Sequence, residues 1–389
     1  MTTVQTLSSL PLTSLEPRLR HLLPADLYAL AWMDQSPQNL ERVFEHLRTL
    51  QRMLVDYVPR QLSDNPPAPG RVRRAWTQGA LMFTDLSGFT PLMEANALRG
   101  QAGAETLLGV LNQYFAQMIE LVSKSGGEIL EFTGDAMLAQ FPPTPNGDET
   151  AQAVRAGLRM QRAMRNFQNI ETDIGPFTLG MRVGIHTGRY LTADIGTPRR
   201  MEHILLGQTV QHTKQAEGAG AVHRVNLTMD AYEAVRDTFH FEQGEPGYML
   251  VVDDLSDDDL GTYELGAFKR RKRSGGILMD RSVGGLLNEI TDMLDRVEPL
   301  AAFLPAPILN QLVESTSDRT IPPRFPTPTV VFVNLLGLPE AVDMAPANSI
   351  NRIVKTFSHT FARINAAVEA RGGVLKKVTY HLTCLLYTS

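Results

Sequence analysis

An internal repeat constrains this chain more than any other feature. Phe83-Thr84-Asp85-Leu86-Ser87-Gly88 returns as Phe332-Val333-Asn334-Leu335-Leu336-Gly337. Each copy is followed by a long helical pattern and then a glycine pair, Gly126-Gly127 in the first and Gly372-Gly373 in the second. Counted back from those glycines, the apolar positions coincide: Leu108 with Val354, Leu111 with Phe357, Phe115 with Phe361, Val122 with Val368. Glu128-Ile129-Leu130-Glu131-Phe132 then matches Val374-Leu375-Lys376-Lys377-Val378, which sets Glu131 against Lys377. Self-similarity in order and spacing means one structural unit used twice. The chain reads as one complete module and the first third of another.

Composition narrows the class. The chain has 389 residues, 43% of them hydrophobic and 20% charged, enough for real cores and too apolar for bulk disorder. Its single cysteine, Cys384, excludes an intrachain disulfide and a cysteine-built zinc site, and fits a cytoplasmic location. A net charge of −5 argues against a general nucleic-acid binder. No apolar run reaches the roughly 18 residues of a membrane span, and the start lacks the pattern of a signal peptide.

Four regions follow: 1–70 helical, 71–255 the first module, 256–325 a linker with two helices, and 326–389 the truncated second module. In the first, Ser36-Pro37 opens a helix with apolar residues at Leu40, Val43, Phe44, Leu47, Leu50, Leu54, Tyr57 and Val58. That near-heptad spacing suits either a homodimer through this helix or packing within its own domain. Asn65–Gly70 punctuates as a linker. The first module mixes strand and helix patterns, an α+β or α/β domain. Strands are expected at Ala80–Thr84, Glu128–Phe132, Ala136–Phe141, Thr178–Thr187 and Met249–Val252. Helices are expected at Ala104–Ser123, Glu149–Phe167, Thr209–Glu217 and Met229–Thr238. The linker carries the basic run Lys269–Arg273, read as solvated, and helices near Val283–Val297 and Ala306–Ser315. Past the prolines Pro322-Pro323 and Pro326–Pro328, the second module opens on a strand at Thr329–Asn334.

Asp85 ends an apolar strand before the turn Ser87-Gly88-Phe89-Thr90, and Asp135 follows Gly134 at the bend of a hairpin. Carboxylates at strand ends beside glycines can share hard divalent cations, most naturally Mg²⁺. The glycine turn offers backbone N–H groups to phosphate oxygens.

Phe83–Thr90, then Gly126-Gly127 and Phe132-Thr133-Gly134-Asp135, then Arg182-Val183-Gly184-Ile185-His186-Thr187-Gly188 resemble the class III nucleotidyl cyclase catalytic domains. The resemblance implies a ferredoxin-like α+β fold working as a pseudo-twofold pair, with nucleotide bound between modules. It implies that Asp85 and Asp135, with the Leu86 carbonyl, hold two Mg²⁺ ions, Mn²⁺ being the alternative. It places phosphates at Ser87, Gly88, Phe89, Thr90, Gly134 and Arg182. The tandem arrangement and the Gly207-Gln208-Thr209-Val210 turn are similar to the bicarbonate-responsive soluble adenylyl cyclases.

The departures are specific. Where the family carries Asn and Arg on its last site helix, this chain has Gln211 and Gln215. Glu131 stands where adenylyl cyclases carry Lys, and Ile204 where they carry Asp or Thr. The second copy has Asn334 and His381 in place of the metal aspartates, yet Lys377 in the position that reads adenine. The modules therefore complement each other. The family's bicarbonate-holding Lys and Arg map onto Glu131 and Lys214, for which a closed Glu131–Lys214 ion pair is expected. His186 reads as a buried structural residue. The resulting expectation is an adenylate cyclase acting on ATP, its partner a second cyclase module in cis or in trans. The alternatives are a degenerate module that binds nucleotide or regulates a partner, and a guanylate cyclase resting on Glu131. The tail from Cys384 reads as the end of a truncated or misassembled fragment.

Overall fold

The computed structural model describes residues 12–172, 175–261, 280–316, 329–333 and 335–378. Asn334, His381, Cys384 and its tail, the Lys269–Arg273 run and the prolines at 322–328 lie outside the described residues.

The N-terminal helices α1 (Leu12–Leu19), α2 (Ala25–Met33), α3 (Pro37–Leu54) and α4 (Arg60–Asp64) lead into the first module. Pro37 opens α3 with its φ preset and no N–H to satisfy. That module runs β1 (Arg73–Ser87), α5 (Phe89–Ala97), α6 (Gln101–Lys124), β2 (Glu128–Thr133), β3 (Ala136–Phe141), α7 (Glu149–Ala163), β4 (Ile170–Thr172) and β5 (Gly175–Phe177). It continues through β6 (Gly180–Thr197), β7 (Arg200–Leu206), α8 (Gln208–Gly218), β8 (Val225–Thr228), α9 (Met229–Val235), β9 (Phe241–Gln243) and β10 (Tyr248–Val251). Helices α10 (Val283–Ala301) and α11 (Ala306–Glu314) follow, then α12 (Leu338–Asp343) and α13 (Ile350–Glu369).

The main sheet has the order β2-β3-β1-β6-β8-β10-β9, with β7 folded back on β6. β1 lies between β3 and β6, antiparallel to both, while β6 and β8 run parallel. Side chains alternate across the sheet. Ala80 and Met82 enter a core with residues of α6, α7 and α9, whereas Leu81 and Phe83 join Tyr190, Leu205 and Val210 under α8. This mixed α+β domain matches the expected fold class.

The stripe of α3 is used inside the chain. Leu40, Val43, Phe44, Leu47, Leu50 and Leu54 are fully buried against a core that includes Leu286, Ile290, Met293, Leu294 and Val297 of α10. Arg18 ties α1 to α10, donating to Glu298 and to Asp295, each at 2.7 Å. Of the two readings of this spacing, a homodimer or packing within its own chain, the structure shows the intrachain contact.

The strand expected at Thr329–Asn334 is not formed in residues 329–333, where Val330, Val331, Phe332 and Val333 are exposed. Residues 374–378 are likewise irregular. A strand exists only against a partner's backbone, and no described segment supplies one. The helix of the second copy does form. Val354, Phe357 and Phe361 of α13 pack on Leu191, Ile204 and Leu206 of the β6–β7 hairpin.

Candidate active site

Parity along β1 places Asp85 on the same sheet face as Phe83, under α8. In the β1–β6 ladder Asp85 stands opposite Arg182. Arg182 Nη2 donates to Asp85 Oδ2 at 2.7 Å, and its Nε lies 3.1 Å from Glu217 Oε1. Lys214 Nζ donates to Glu217 Oε2 at 2.6 Å and rests 4.2 Å from the centre of the Phe83 ring. The Glu217 carboxylate is buried, so two cations balance one shielded charge. Gly184 makes this possible: a Cβ there would lie 2.0 Å from the Glu217 amide nitrogen. Only glycine lets α8 settle so close to β6.

Asp135 occupies the turn between β2 and β3. The β1–β3 ladder runs to Thr84 opposite Met137, so that turn lies beside the end of β1. Burial, reinforced by the like charge of Asp85, pushes the Asp135 carboxyl up to about 6. A divalent cation would relieve that repulsion, and hard oxygen donors at adjoining strand ends suit Mg²⁺ or Mn²⁺. Among the described residues no group of three His, Cys, Asp or Glu side chains is arranged to hold an ion. The pair therefore fits a metal only if backbone, water or substrate completes the shell.

Gly88, at φ 86°, turns the chain from β1 into α5. A side chain there would be strained by that φ, and its Cβ would also lie 2.6 Å from the Thr178 carbonyl oxygen. The first N–H groups of α5, from Phe89 and Thr90, are thus presented next to Ser87 and the end of β1.

The expected Glu131–Lys214 pair does not form. On α8, Lys214 and Glu217 are three residues apart on one face, so Lys214 is captured by its own helix. Glu131 instead accepts from Thr133 Oγ1 at 2.5 Å and lies 3.0 Å from Lys377 Nζ. Lys377 also donates to the Phe132 carbonyl. Ile204, the second departure from the family pattern, is fully buried with Phe357 and Phe361, so an apolar residue there holds the second copy's helix.

His186 is buried in β6, paired with Thr228 Oγ1 at 2.8 Å and edge-on to His212 at 5.0 Å. Burial, then the His212 ring, lowers it to about 4. Both rings line a cavity of about 240 Å³ with Gln215, Thr228, Asp230 and Tyr248. Neither Asp85 nor Asp135 lines it. Glu217 escaped the sequence reading. Its one signal is position: Val210, Thr213 and Glu217 form the inward stripe of α8, where a carboxylate is out of place.

Residues 74–263 match the family described as "Adenylate and Guanylate cyclase catalytic domain". Adenylate cyclase 1 of Rhizobium meliloti (strain 1021) is 28% identical over 166 residues, which is 42% of this chain and 24% of that protein. Adenylate cyclase type 10 of Oryctolagus cuniculus is 25% identical over 168 residues, 43% of this chain and 10% of that protein. The crystal structure of the adenylyl cyclase CyaB from P. aeruginosa aligns at 24% identity with a TM-score of 0.41, covering 48% of this chain and 98% of that one. The chain thus spans a quarter or less of the length of these two curated relatives. Residues 74–263 belong to the adenylate and guanylate cyclase catalytic-domain family.

Proposed function

We propose that this chain is the catalytic part of an adenylate cyclase, converting ATP to 3′,5′-cyclic AMP and pyrophosphate between its two modules in the cytoplasm. The observation that carries this reading is the meeting of Asp85, Asp135 and Arg182 beside the Gly88 turn. Asp85, Asp135 and the Leu86 carbonyl would hold divalent ions, Mg²⁺ or Mn²⁺. Such ions supply charge that acidifies the ribose 3′-hydroxyl and steadies the triphosphate. The 3′-oxygen attacks the α-phosphorus as its proton passes to solvent water, the bond from the α-phosphorus to the α–β bridging oxygen breaks, and pyrophosphate leaves with that oxygen. Arg182, resting on Asp85, exchanges that carboxylate for a phosphate oxygen. The N–H groups of Gly88, Phe89 and Thr90 and the Ser87 and Gly134 turns cradle the remaining phosphates. Lys377 leaves Glu131 to read adenine. Among the described residues no helix is long and apolar enough to cross a membrane.

The test is Asp85→Ala in the full-length protein with ATP and Mg²⁺ or Mn²⁺. Cyclic AMP production should vanish; unchanged activity removes the assignment. A second reading is favoured by Gln211 and Gln215, which leave the first module without a cation for the transition state. Such a loss typically costs several kcal/mol of barrier. In that reading the module binds nucleotide or regulates a partner, and ATP binds without turnover. Guanylate cyclase activity, resting on Glu131, would appear as cyclic GMP from GTP in the same assay.

A further inference from the structure

The turn Gly207-Gln208-Thr209-Val210 opens α8, the helix that carries Lys214 and Glu217. A helix start leaves several backbone N–H groups without intrahelical partners, and a Ser, Thr, Asp or Asn side chain at the N-cap commonly accepts from one of them. α8 provides no such group itself. Its N-cap is Gly207, and its first turn holds no acidic residue. Thr209 donates its hydroxyl to the Arg189 carbonyl at 2.7 Å.

The acceptor comes instead from the second copy. Asp343, the last residue of α12, accepts from the Gln208 N–H through Oδ2 at 2.6 Å. A carboxylate at this end also meets the positive pole of the helix dipole. Gly207 makes room for it, since a Cβ there would lie 2.9 Å from Asp343 Oδ1. The neighbouring Val342 is fully buried in the core that holds Ile204 and Leu206, and Leu206 directly precedes Gly207. The other end of α8 is fixed within the first module. There Asn226 Nδ2 donates to the Ala216 carbonyl at 2.7 Å, and Glu217 meets Arg182, the partner of Asp85. One helix is thus seated at its start by the second copy and joined at its end to the Arg182–Asp85 pair.

We propose that Asp343 is a positioning residue: it supplies the N-cap that α8 lacks, so that docking of the second copy sets the first turn of the helix carrying Lys214 and Glu217. Its consequence for turnover rests on the cyclase reading, whereas the cap itself does not.

Residue-resolved hydrogen exchange in the full chain reads the cap without nucleotide. Asp343→Ala should speed exchange of the Gln208 amide and of residues 211–214 at least threefold. Asp343→Asn keeps a side-chain carbonyl oxygen and should hold those amides within about twofold of wild type. Exchange across 350–361 should stay within about twofold in both, with α13 still docked. Phe361→Ala, which loosens that docking, should speed the same α8 amides, and adding Asp343→Ala should then change them less than twofold. Unaltered α8 amides in Asp343→Ala, no rescue by Asn, faster exchange across 350–361, or an undiminished effect on the Phe361→Ala background overturns the proposal. With ATP and Mg²⁺, Asp343→Ala should lower kcat at least threefold and Asp343→Asn should return it to within about twofold. A kcat unmoved while the α8 amides exchange faster overturns the positioning role. A wild-type chain that makes no cyclic AMP removes the cyclase reading, and the exchange results alone then decide the cap.

Discussion

Glu217 joins the two cations of the candidate site. Its buried carboxylate holds Lys214 and neighbours Arg182, whose other contact is Asp85. Removing one partner from a buried ion pair typically costs about 3–5 kcal/mol. Here a quarter to a third of each cation's side chain is exposed, so solvent screens part of the loss. Glu217→Ala should therefore lower the unfolding free energy by about 1–3 kcal/mol. An unchanged urea midpoint would refute the pairing. His186 makes a second residue-scale prediction. Its pKa falls from 6.5 unfolded to about 4 folded, so the folded state resists its protonation. The stability it contributes is complete above pH 6.5 and is lost as the pH falls through about 4. The loss amounts to as much as about 3 kcal/mol. His186→Gln should flatten the stability profile between those values relative to wild type, as read by urea unfolding at each pH. His186 was legible in the sequence because it interrupts a buried strand pattern. The charge balance at Glu217 was not, because its partners come from different elements.

At the scale of elements, legibility followed the source of each element's hydrogen bonds. Helices α6, α7, α8 and α10 were readable within a few residues, since a helix closes its own backbone bonds. β2 and β3 were readable as a hairpin for the same local reason. β6 was expected to stop at Thr187 but continues to Thr197. Gly188 and Gly196 weaken its pattern, and pairing with β1 and β7 sustains it. β7 went unrecognised because Glu202 and His203 break its apolar run. Arg200 pairs with Glu202, and Asp194 with His203, so both become tolerable only in the folded sheet. The second copy shows the converse: α13 folds on the hairpin while residues 329–333 make no strand. Phe361 anchors α13, almost fully buried beneath Arg200, whose guanidinium lies 5.6 Å from the ring centre. Phe361→Ala should cost about 3–5 kcal/mol of local docking energy. Hydrogen exchange should rise across 350–361, with the first module's unfolding midpoint nearly unmoved. A global shift of that midpoint would show instead that the two units unfold together.

Across the whole molecule, the N-terminal helices and the linker helices share one core although 200 residues and more separate them, as with Leu47 and Leu286. α4 reaches the sheet from that bundle: the Arg60 backbone N–H donates to Glu128 of β2, the strand leading to Asp135. The Asp85→Ala assay belongs at this scale, because the proposed site needs groups from both modules. By itself the sequence determined the repeat, the α+β class, the aspartates with their glycine turns, and the departures at Glu131, Ile204, Gln211 and Gln215. Those are properties of residue type and spacing, which survive without coordinates. Only the tertiary structure decided which charges meet, Lys214 with Glu217 and Lys377 with Glu131, and that the apolar stripe of α3 packs on α10. The physical reason is that ion pairs and apolar faces are satisfied by whatever lies nearest in space, and spacing along the chain fixes that distance only within a helix or a hairpin.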